Sequence, residues 1–254
     1  MRILINGFCG HMGQIVARLA GEGFCGCTAA LGADVNAQPG DPACVRDLAD
    51  ACTDVDVVVD FSHHSCTAAL LDFCTSHRLP LVLATTGQTD EERAMICAAA
   101  GQIPLFFAAN YSVGVALLIR LAKQTAKALP DAEIEIIEQH HDRKLDAPSG
   151  TALAIADAIR TVRPDAENHL GRSGAGKRQK NEIGIHAVRM GNTVGIHEVI
   201  VGTGSQTITL RHEAHDRALF AEGALSAAAF LHQTVCGKPG LYGMEDMLSA
   251  EGDT

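Results

Sequence analysis

The sequence predicts an α/β fold in which a doubly wound parallel sheet is interrupted by an inserted α+β domain on a mostly antiparallel sheet. Two observations carry this. Over the first 110 residues, short strand-like and helix-like segments alternate, the order that winds helices over both faces of a parallel sheet. After Asn110 the alternation stops, and a long helical pattern gives way to a polar run and several strand-like pieces.

Taken in order, Arg2–Asn6 reads as an apolar strand running into Gly7, Gly10 and Gly13, then an amphipathic stretch over Gln14–Ala20. Cys27–Ala33 is a second strand ending at Asp34, followed by a polar loop containing Pro39, Gly40 and Pro42. Val55–Phe61 is a continuous β-branched run, as expected of a strand covered on both faces. Thr67–His77 and Asp90–Gly101 read as helices, and Leu79–Ala84 and Ile103–Ala108 as strands. Beyond Asn110, Val113–Leu129 is a helix stopped by Pro130, and Glu133–Glu138 is a strand. A polar run, Gln139–Gly150, leads to an amphipathic helix over Thr151–Arg160. The basic loop Gly171–Lys180, read as mobile, precedes three strand-like pieces at Ile183–Arg189, Gly195–Val201 and Gln206–His212, and Leu219–His232 is a last helix. The expected division is a nucleotide domain over residues 1–110 and 216–254, interrupted by an inserted α+β domain over 111–215.

Composition removes several function classes. The 254 residues are 47% hydrophobic and 20% charged, ordinary for a globular chain. A net charge of −10, no Trp and two Tyr leave neither the cationic footprint nor the stacking residues of a nucleic-acid binder. The same charge argues against an anionic membrane surface, and no run approaches the ~18 apolar residues of a span. Nine cysteines with no CxxC pair read as reduced, mostly buried thiols of a cytoplasmic protein, with no metal site. An anionic small ligand stays open, since a binding site is a local cluster of cations.

The glycine segment Gly7-Phe8-Cys9-Gly10-His11-Met12-Gly13 sits between a strand and a helix. Glycines there let the backbone approach a pyrophosphate, whose charge meets the N–H groups of a helix start. Its spacing is GxxGxxG, with Phe8 where the common fingerprint has glycine. Asp34, 21 residues after Gly13, ends the second strand, where a carboxylate accepts the adenosine ribose hydroxyls. Strand, loop, helix, strand and acid in that order predict a Rossmann-type dinucleotide site. Because Asp34 repels a 2′-phosphate and no cation follows in Val35-Asn36-Ala37-Gln38, NADH is favoured over NADPH, with Arg46 the one cation that could reach in. Thr85-Thr86-Gly87 and Ala108-Ala109-Asn110-Tyr111 end later strands, where such sheets bind the nicotinamide or simply turn.

The chemistry concentrates in Glu138–Ala152, EQHHDRKLDAPSGTA. His140, His141, Arg143 and Lys144 form a cationic patch. Ser149 can cap a helix whose first residues, Gly150 and Thr151, offer N–H groups to an anion. A substrate carboxylate fits there, with Lys144 and a histidine over the reacting carbon; a solvated loop before a capped helix is the alternative.

This run resembles the signature of the dihydrodipicolinate reductase family, and the resemblance covers the whole chain. GxxGxMG opens it, and Asp60-Phe61-Ser62, Thr85-Thr86-Gly87 and Ala109-Asn110-Tyr111-Ser112 follow. Ile183-Gly184-Ile185-His186 with Arg189, Gly191 and His197 match later. The resemblance implies NAD(P)H-dependent reduction of 4-hydroxy-tetrahydrodipicolinate to tetrahydrodipicolinate with loss of water, in the diaminopimelate route to lysine. It places the general acid–base histidine at His140, the proton-donating lysine at Lys144 and a substrate-contacting histidine at His141. Ser149, Gly150 and Thr151 fall where a carboxylate of the cyclic dicarboxylate is gripped. The dinucleotide is implied to contact Gly7 to Met12, Asp34, the Ala84-Thr85-Thr86 loop and Ala108 to Tyr111. A homotetramer joined through the inserted sheet is implied too. Two positions depart from the family pattern: Ala84 replaces a glycine, which crowds the nicotinamide loop, and Gln88 replaces an apolar or aromatic residue.

Other readings predict different behaviour. A different Rossmann oxidoreductase of a small carboxylate would consume NADH only with other substrates, and a nucleotide sensor would bind it without turnover. A P-loop hydrolase is suggested by Gly171-Arg172-Ser173-Gly174-Ala175-Gly176-Lys177, but Arg178 stands where Ser or Thr must hold magnesium. The basic loop is instead expected to help neutralise a dicarboxylate.

Overall fold

In the computed structural model, which describes residues 1–250, the chain runs β1 (Arg2–Asn6), α1 (His11–Gly21), β2 (Ala29–Ala33), β3 (Cys44–Val45), β4 (Val57–Asp60), α2 (Thr67–His77), β5 (Leu81–Leu83), α3 (Asp90–Ala100) and β6 (Pro104–Phe107). It continues through α4 (Val113–Ala128), β7 (Glu133–His140), α5 (Gly150–Arg160), β8 (Glu167–Leu170), β9 (Glu182–Arg189), β10 (Gly195–Gly202) and β11 (Thr207–Ala214). It closes with α6 (Ala218–Phe230), β12 (Gly240–Tyr242) and α7 (Met244–Ala250). Two units separate: Met1–Ser112 with the chain from Ala218 onward, and Val113–Arg217.

The first unit is built on a seven-stranded sheet in the order β12-β6-β5-β4-β1-β2-β3, every pairing parallel. Ile3–Ile5, Val57–Val59 and Leu81–Leu83 are fully buried, which is why these strands read as unbroken apolar runs. Strand order reverses beside β1, whose neighbours are β2 and β4, and the glycine turn leaves β1 at that point. Helix α3 begins in a reciprocal capping box between Thr89 and Glu92. Helix α6 is lined with small residues, Ala221, Gly223, Ala224, Ala227 and Ala228, all buried, which lets it sit close to its neighbours. A Cβ on Gly223 would lie 1.6 Å from the Tyr111 carbonyl oxygen.

The second unit packs α4 and α5 against one face of a five-stranded sheet. Alternation along β7 puts Ile134 and Ile136 into a core with Leu118, Ala122, Ile155, Ile159, Ile185 and Val199. Arg163, just past α5, donates to the carbonyls of Ala126, Leu129 and Ala132 and so satisfies the end of α4.

The sheet order is β11-β10-β7-β9-β8, and here the expectation of a mostly antiparallel sheet is corrected. The β11–β10 and β10–β7 pairings are antiparallel, but β7–β9 and β9–β8 are parallel. A parallel pairing needs a crossover, and two are present: α5 between β7 and β8, and the Gly171–Lys180 loop between β8 and β9. That loop does not offer its arginines to a ligand. Arg178 Nε lies 3.1 Å from the Glu135 carboxylate and its Nη2 3.1 Å from the Ile134 carbonyl, while Arg172 pairs with Glu182 at 2.8 Å. Glu135 has room because its register partner is Gly184, where a Cβ would fall 1.6 Å from Oε2.

Gly223→Ala drives a methyl into backbone that cannot rotate away. Overpacking of this kind costs about 1–3 kcal/mol, and a chain this size loses roughly 2–4 °C of melting midpoint per kcal/mol. Gly21→Ala, at a site with nothing within 4 Å, is the control and should leave the midpoint unchanged or raise it. Differential scanning calorimetry of the two variants separates these outcomes.

Candidate active site

In the first unit, Gly7 takes φ +83° and its N–H bonds the Ala33 carbonyl at 2.9 Å, folding the loop back over β2. A Cβ on Gly7 would meet the backbone of Phe61 and Ser62 at 2.7–2.8 Å, and one on Gly13 would lie 2.2 Å from the Gly7 carbonyl oxygen. The Phe8 ring lies over Gly32 of β2, where a Cβ would be 2.4 Å from Cγ. That complementary glycine is what allows a phenylalanine in the loop. Gly10, at the N-cap of α1, supplies no capping side chain, and His11 and Met12 form the first turn. Asp34 accepts from the N–H groups of Cys9 at 2.9 Å and Asn36 at 2.8 Å. The Arg46 guanidinium is nearby, 3.2 Å from the Val35 carbonyl.

A buried carboxylate joins three strand ends beneath this loop. Asp60 Oδ1 accepts from Asn6 Nδ2 (2.8 Å) and Ser62 Oγ (2.6 Å), and Oδ2 from Thr85 Oγ1 (2.6 Å). Burial raises its pKa, against the pull of these three donors. Next to it, a cleft of about 300 Å³ is lined by Met12, Phe61, Ala84, Thr86, Ala109, Asn110, Tyr111 and Phe220. Ala84 is a wall of this cleft, and the buried Gln88 amide donates to the Thr85 carbonyl at 2.8 Å, closing the loop internally. Tyr111 turns its hydroxyl inward, 2.9 Å from the Leu83 carbonyl, so only its ring and backbone face the cleft; Ala108 is half-buried at the end of β6. Phe220, on the returning helix, is a cleft residue the sequence reading missed.

In the second unit, Glu138 is fully buried on β7, two residues before His140 and therefore on the same face. Its Oε2 is 2.6 Å from His140 Nδ1. Arg189 of β9 grips both carboxylate oxygens at 2.7 and 2.8 Å, and the Ser149 N–H donates to Oε1 at 3.0 Å. These donors hold Glu138 down to about 2 in spite of its burial. A 2.6 Å contact with a carboxylate requires the proton on His140 Nδ1, so Nε2 is the nitrogen left to exchange one. Gly195 of β10 makes room there, since a Cβ would lie 3.1 Å from Nε2.

His197, opposite Glu138 in the β7–β10 register, stands edge-on to His140 at 5.1 Å between centroids. Its Nε2 is 3.2 Å from Ser149 Oγ, which also caps α5 by accepting from the Ala152 N–H. Burial first, then His140, pushes His197 down to about 4, so it is neutral at working pH. His141 is also lowered, by desolvation and then by Arg143 and Arg217, and its Nδ1 is buried without a hydrogen-bond partner among the described residues. Lys144 pairs with Asp146 at 2.8 Å, and that same carboxylate accepts from the Gly150 N–H at the start of α5, beside Thr151. A larger cleft of about 390 Å³ in this unit is lined by Arg163, whose guanidinium is taken up by backbone carbonyls. Among the described residues no cluster could hold a metal ion, and no helix is long and apolar enough to cross a membrane.

A doubly wound dinucleotide fold together with a carboxylate-held histidine defines the class: a dinucleotide-dependent oxidoreductase. Comparison with known proteins narrows it. Residues 1–111 match the N-terminal and residues 114–248 the C-terminal portion of dihydrodipicolinate reductase, and the chain belongs to that family. It is 44% identical over 252 residues to the 4-hydroxy-tetrahydrodipicolinate reductase of Caldanaerobacter subterraneus subsp. tengcongensis and 41% identical over 254 residues to that of Clostridium tetani, covering 98% of both chains in each case. Among solved structures, a dipicolinate-bound dihydrodipicolinate reductase from Paenisporosarcina sp. TG-14 superimposes with TM-score 0.78 at 26% identity, over 96% of this chain and 97% of that one. A probable dehydrogenase from Thermotoga maritima shares the fold at TM-score 0.59 and 13% identity, over 98% and 93%.

Two of the perturbed groups near His140 make stability fall on the acid side. His197 has its ordinary 6.5 lowered to about 4, so the unfolded chain gains a proton that the folded one refuses. Stability present above pH 6.5 is therefore lost as pH drops through 4. Glu138 adds a lower window, with stability present above 4.5 and lost towards 2. Melting midpoints measured from pH 7 to 4 should fall in the parent chain, and fall less in His197→Asn.

Proposed function

We propose that the chain reduces 4-hydroxy-tetrahydrodipicolinate to tetrahydrodipicolinate with NAD(P)H and loss of water, a step on the diaminopimelate route to lysine. The observation that carries the chemistry is the buried Glu138–His140 pair, which fixes the imidazole and presents Nε2. The first unit holds the dinucleotide. Its glycine turn is packed against backbone at Gly7 and Gly13, where any Cβ would strike it, the tight turn that lets a pyrophosphate approach the N–H groups at the start of α1, and the cleft beside Thr86 and Asn110 fits a flat aromatic amide. Once water has been lost, NAD(P)H when bound would supply a hydride to the C=C bond conjugated with the substrate's C=N group, which leaves an electron-rich enamine. Asp34 faces the loop as the ribose acceptor, which supports NADH as the favoured cofactor; Arg46 is placed to temper that preference.

In the second unit, His140 Nε2 delivers the proton that the reduced, electron-rich substrate requires, with Glu138 stabilising the imidazolium that precedes transfer. Lys144 is the second proton donor and its charge faces the substrate's, the Gly150 and Thr151 N–H groups form the carboxylate subsite, and His141 offers its unpartnered Nδ1. Ser149 acts one step back, since its N–H holds Glu138 and its hydroxyl holds His197. A homotetramer joined through the half-buried outer face of the second sheet, and a cytoplasmic setting for nine free thiols, complete the reading.

A coupled assay with the synthase that generates the substrate tests this, with NADH consumed faster than NADPH. His140→Gln should lower kcat by about 10²–10⁴ while NADH affinity, followed by its fluorescence, is unchanged. An unaltered kcat would remove His140 from the mechanism.

Asp146 supplies a separate test. It occupies Lys144 and Gly150 with the chain's own carboxylate, so an incoming carboxylate has to displace it. Asp146→Asn should lower the dicarboxylate KM by about 1.5-fold to fivefold, the worth of one exposed ion pair. A raised KM would show that Asp146 orients Lys144 in the complex instead.

A further inference from the structure

The segment between β5 and α3 is tied to the chain after β4 at both of its ends. At the near end the Ala84 N–H bonds the Asp60 carbonyl at 2.9 Å, and the Thr85 hydroxyl donates to Asp60 Oδ2 at 2.6 Å. At the far end Glu92, in its capping box with Thr89, also holds His64 Nδ1, 3.1 Å from both carboxylate oxygens. Gln88 closes the middle by donating to the Thr85 carbonyl at 2.8 Å. Between the two ties Thr86 and Gly87 alone are exposed, and Thr86 lines the 300 Å³ cleft whereas Thr85 does not. Thr85 is buried, and so is Asp60. A threonine is stiff at χ1, so fixing Oγ1 fixes its backbone, and the planar peptide that follows fixes where Thr86 begins. A carboxylate suits this place because both of its oxygens accept. Oδ1 is taken by Asn6 and Ser62, which leaves Oδ2 for Thr85.

We propose that Asp60 is a positioning residue for dinucleotide binding: through the Thr85 hydroxyl it sets the loop from which Thr86 faces the cleft. This role rests on the reading of the first unit as the dinucleotide site and adds a division of labour to it. The Thr85 hydroxyl has already given its proton to Asp60, so it acts on the nicotinamide end through Thr86 and not by donating to the ligand. Loss of the Asp60–Thr85 bond frees the near end of the loop while the Glu92 tie keeps the far end. The loop then shifts at Thr86 without unravelling. The adenosine end, held at the glycine turn by different residues, is untouched. The effect is thereby confined to ligands that carry a nicotinamide, which a general loss of folding would not produce.

NADH and ADP-ribose, which carries the pyrophosphate and adenosine but no nicotinamide, are titrated into the full-length chain and its variants, each checked for folding by circular dichroism. Thr85→Val should raise the NADH Kd by about threefold to tenfold, the worth of one hydrogen bond, and leave the ADP-ribose Kd unchanged. Thr85→Ser, which keeps a hydroxyl, should recover most of the loss. Thr86→Val should weaken NADH to a similar degree, and the Thr85→Val/Thr86→Val pair should bind it no more weakly than Thr86→Val alone. Asp60→Asn leaves one accepting oxygen where two are used. It should reproduce Thr85→Val, and it takes that variant's place in the cycle if Thr85→Val does not fold. Additive losses in the paired variant overturn the positioning role, since they put the Thr85 hydroxyl on the ligand. So does an equal loss of ADP-ribose affinity, or a folded Thr85→Val with a lowered melting midpoint and an unchanged NADH Kd. A parent chain that binds neither NADH nor ADP-ribose instead overturns the reading of the first unit as the dinucleotide site, and the positioning role with it.

Discussion

The second unit is organised around the Glu138 carboxylate. Burying an unpaired carboxylate costs several kcal/mol, and here four contacts from three elements offset it: His140 on its own strand, two from Arg189 on β9, and the Ser149 N–H at the start of α5. Because these groups belong to separate elements, one charge fixes the strand register, the helix start and the imidazole together. Losing any one donor loosens the other two as well as raising the cost of the buried anion.

The nucleotide unit repeats the device with different chemistry. Asp60 also joins three elements, but every donor it meets is neutral: an amide and two hydroxyls. The outcome for the proton is opposite. Burial prevails at Asp60 and raises its pKa, whereas a guanidinium and an imidazole prevail at Glu138 and depress it. The first carboxylate fastens the chain ends of β1, β4 and β5 to one another. The second stays charged and holds the His140 ring by its Nδ1.

Much of this was legible in the sequence. The strand–glycine–helix–strand–acid order needs no tertiary information, and Pro148-Ser149-Gly150 marks a helix start through capping chemistry alone. The strand read as Glu133–Glu138 runs on to His140 in the structure, and that extension is what puts Glu138 and His140 on one face. What escaped reading depends on pairing between distant strands. His197 and Arg189 stand in the family resemblance without a role, and they reach Glu138 only through the β7–β10 and the parallel β7–β9 pairings, which the sequence pattern does not contain. Short elements escaped as well: β3 has two residues, β12 has three, and β8 (Glu-Asn-His-Leu) carries no apolar alternation. The departures at Phe8 and Gln88 become sensible once Gly32 and the Thr85 carbonyl are seen beside them.

The interrupted first unit bears on how the protein is made. Helix α6 and strand β12 complete the nucleotide sheet and its covering layer, yet both are encoded after the entire second unit. On a ribosome adding about 5–20 residues per second, the first 112 residues wait roughly 5–20 s for the roughly one hundred residues that precede α6. During that interval the strand edge at β6 and the apolar surface reserved for α6 face solvent. The second unit, contiguous in the chain, is able to close on its own while the first is still waiting. Newly made chains are thus most prone to misassociation through the half that emerges first, and the last helix is the part that ends the exposure.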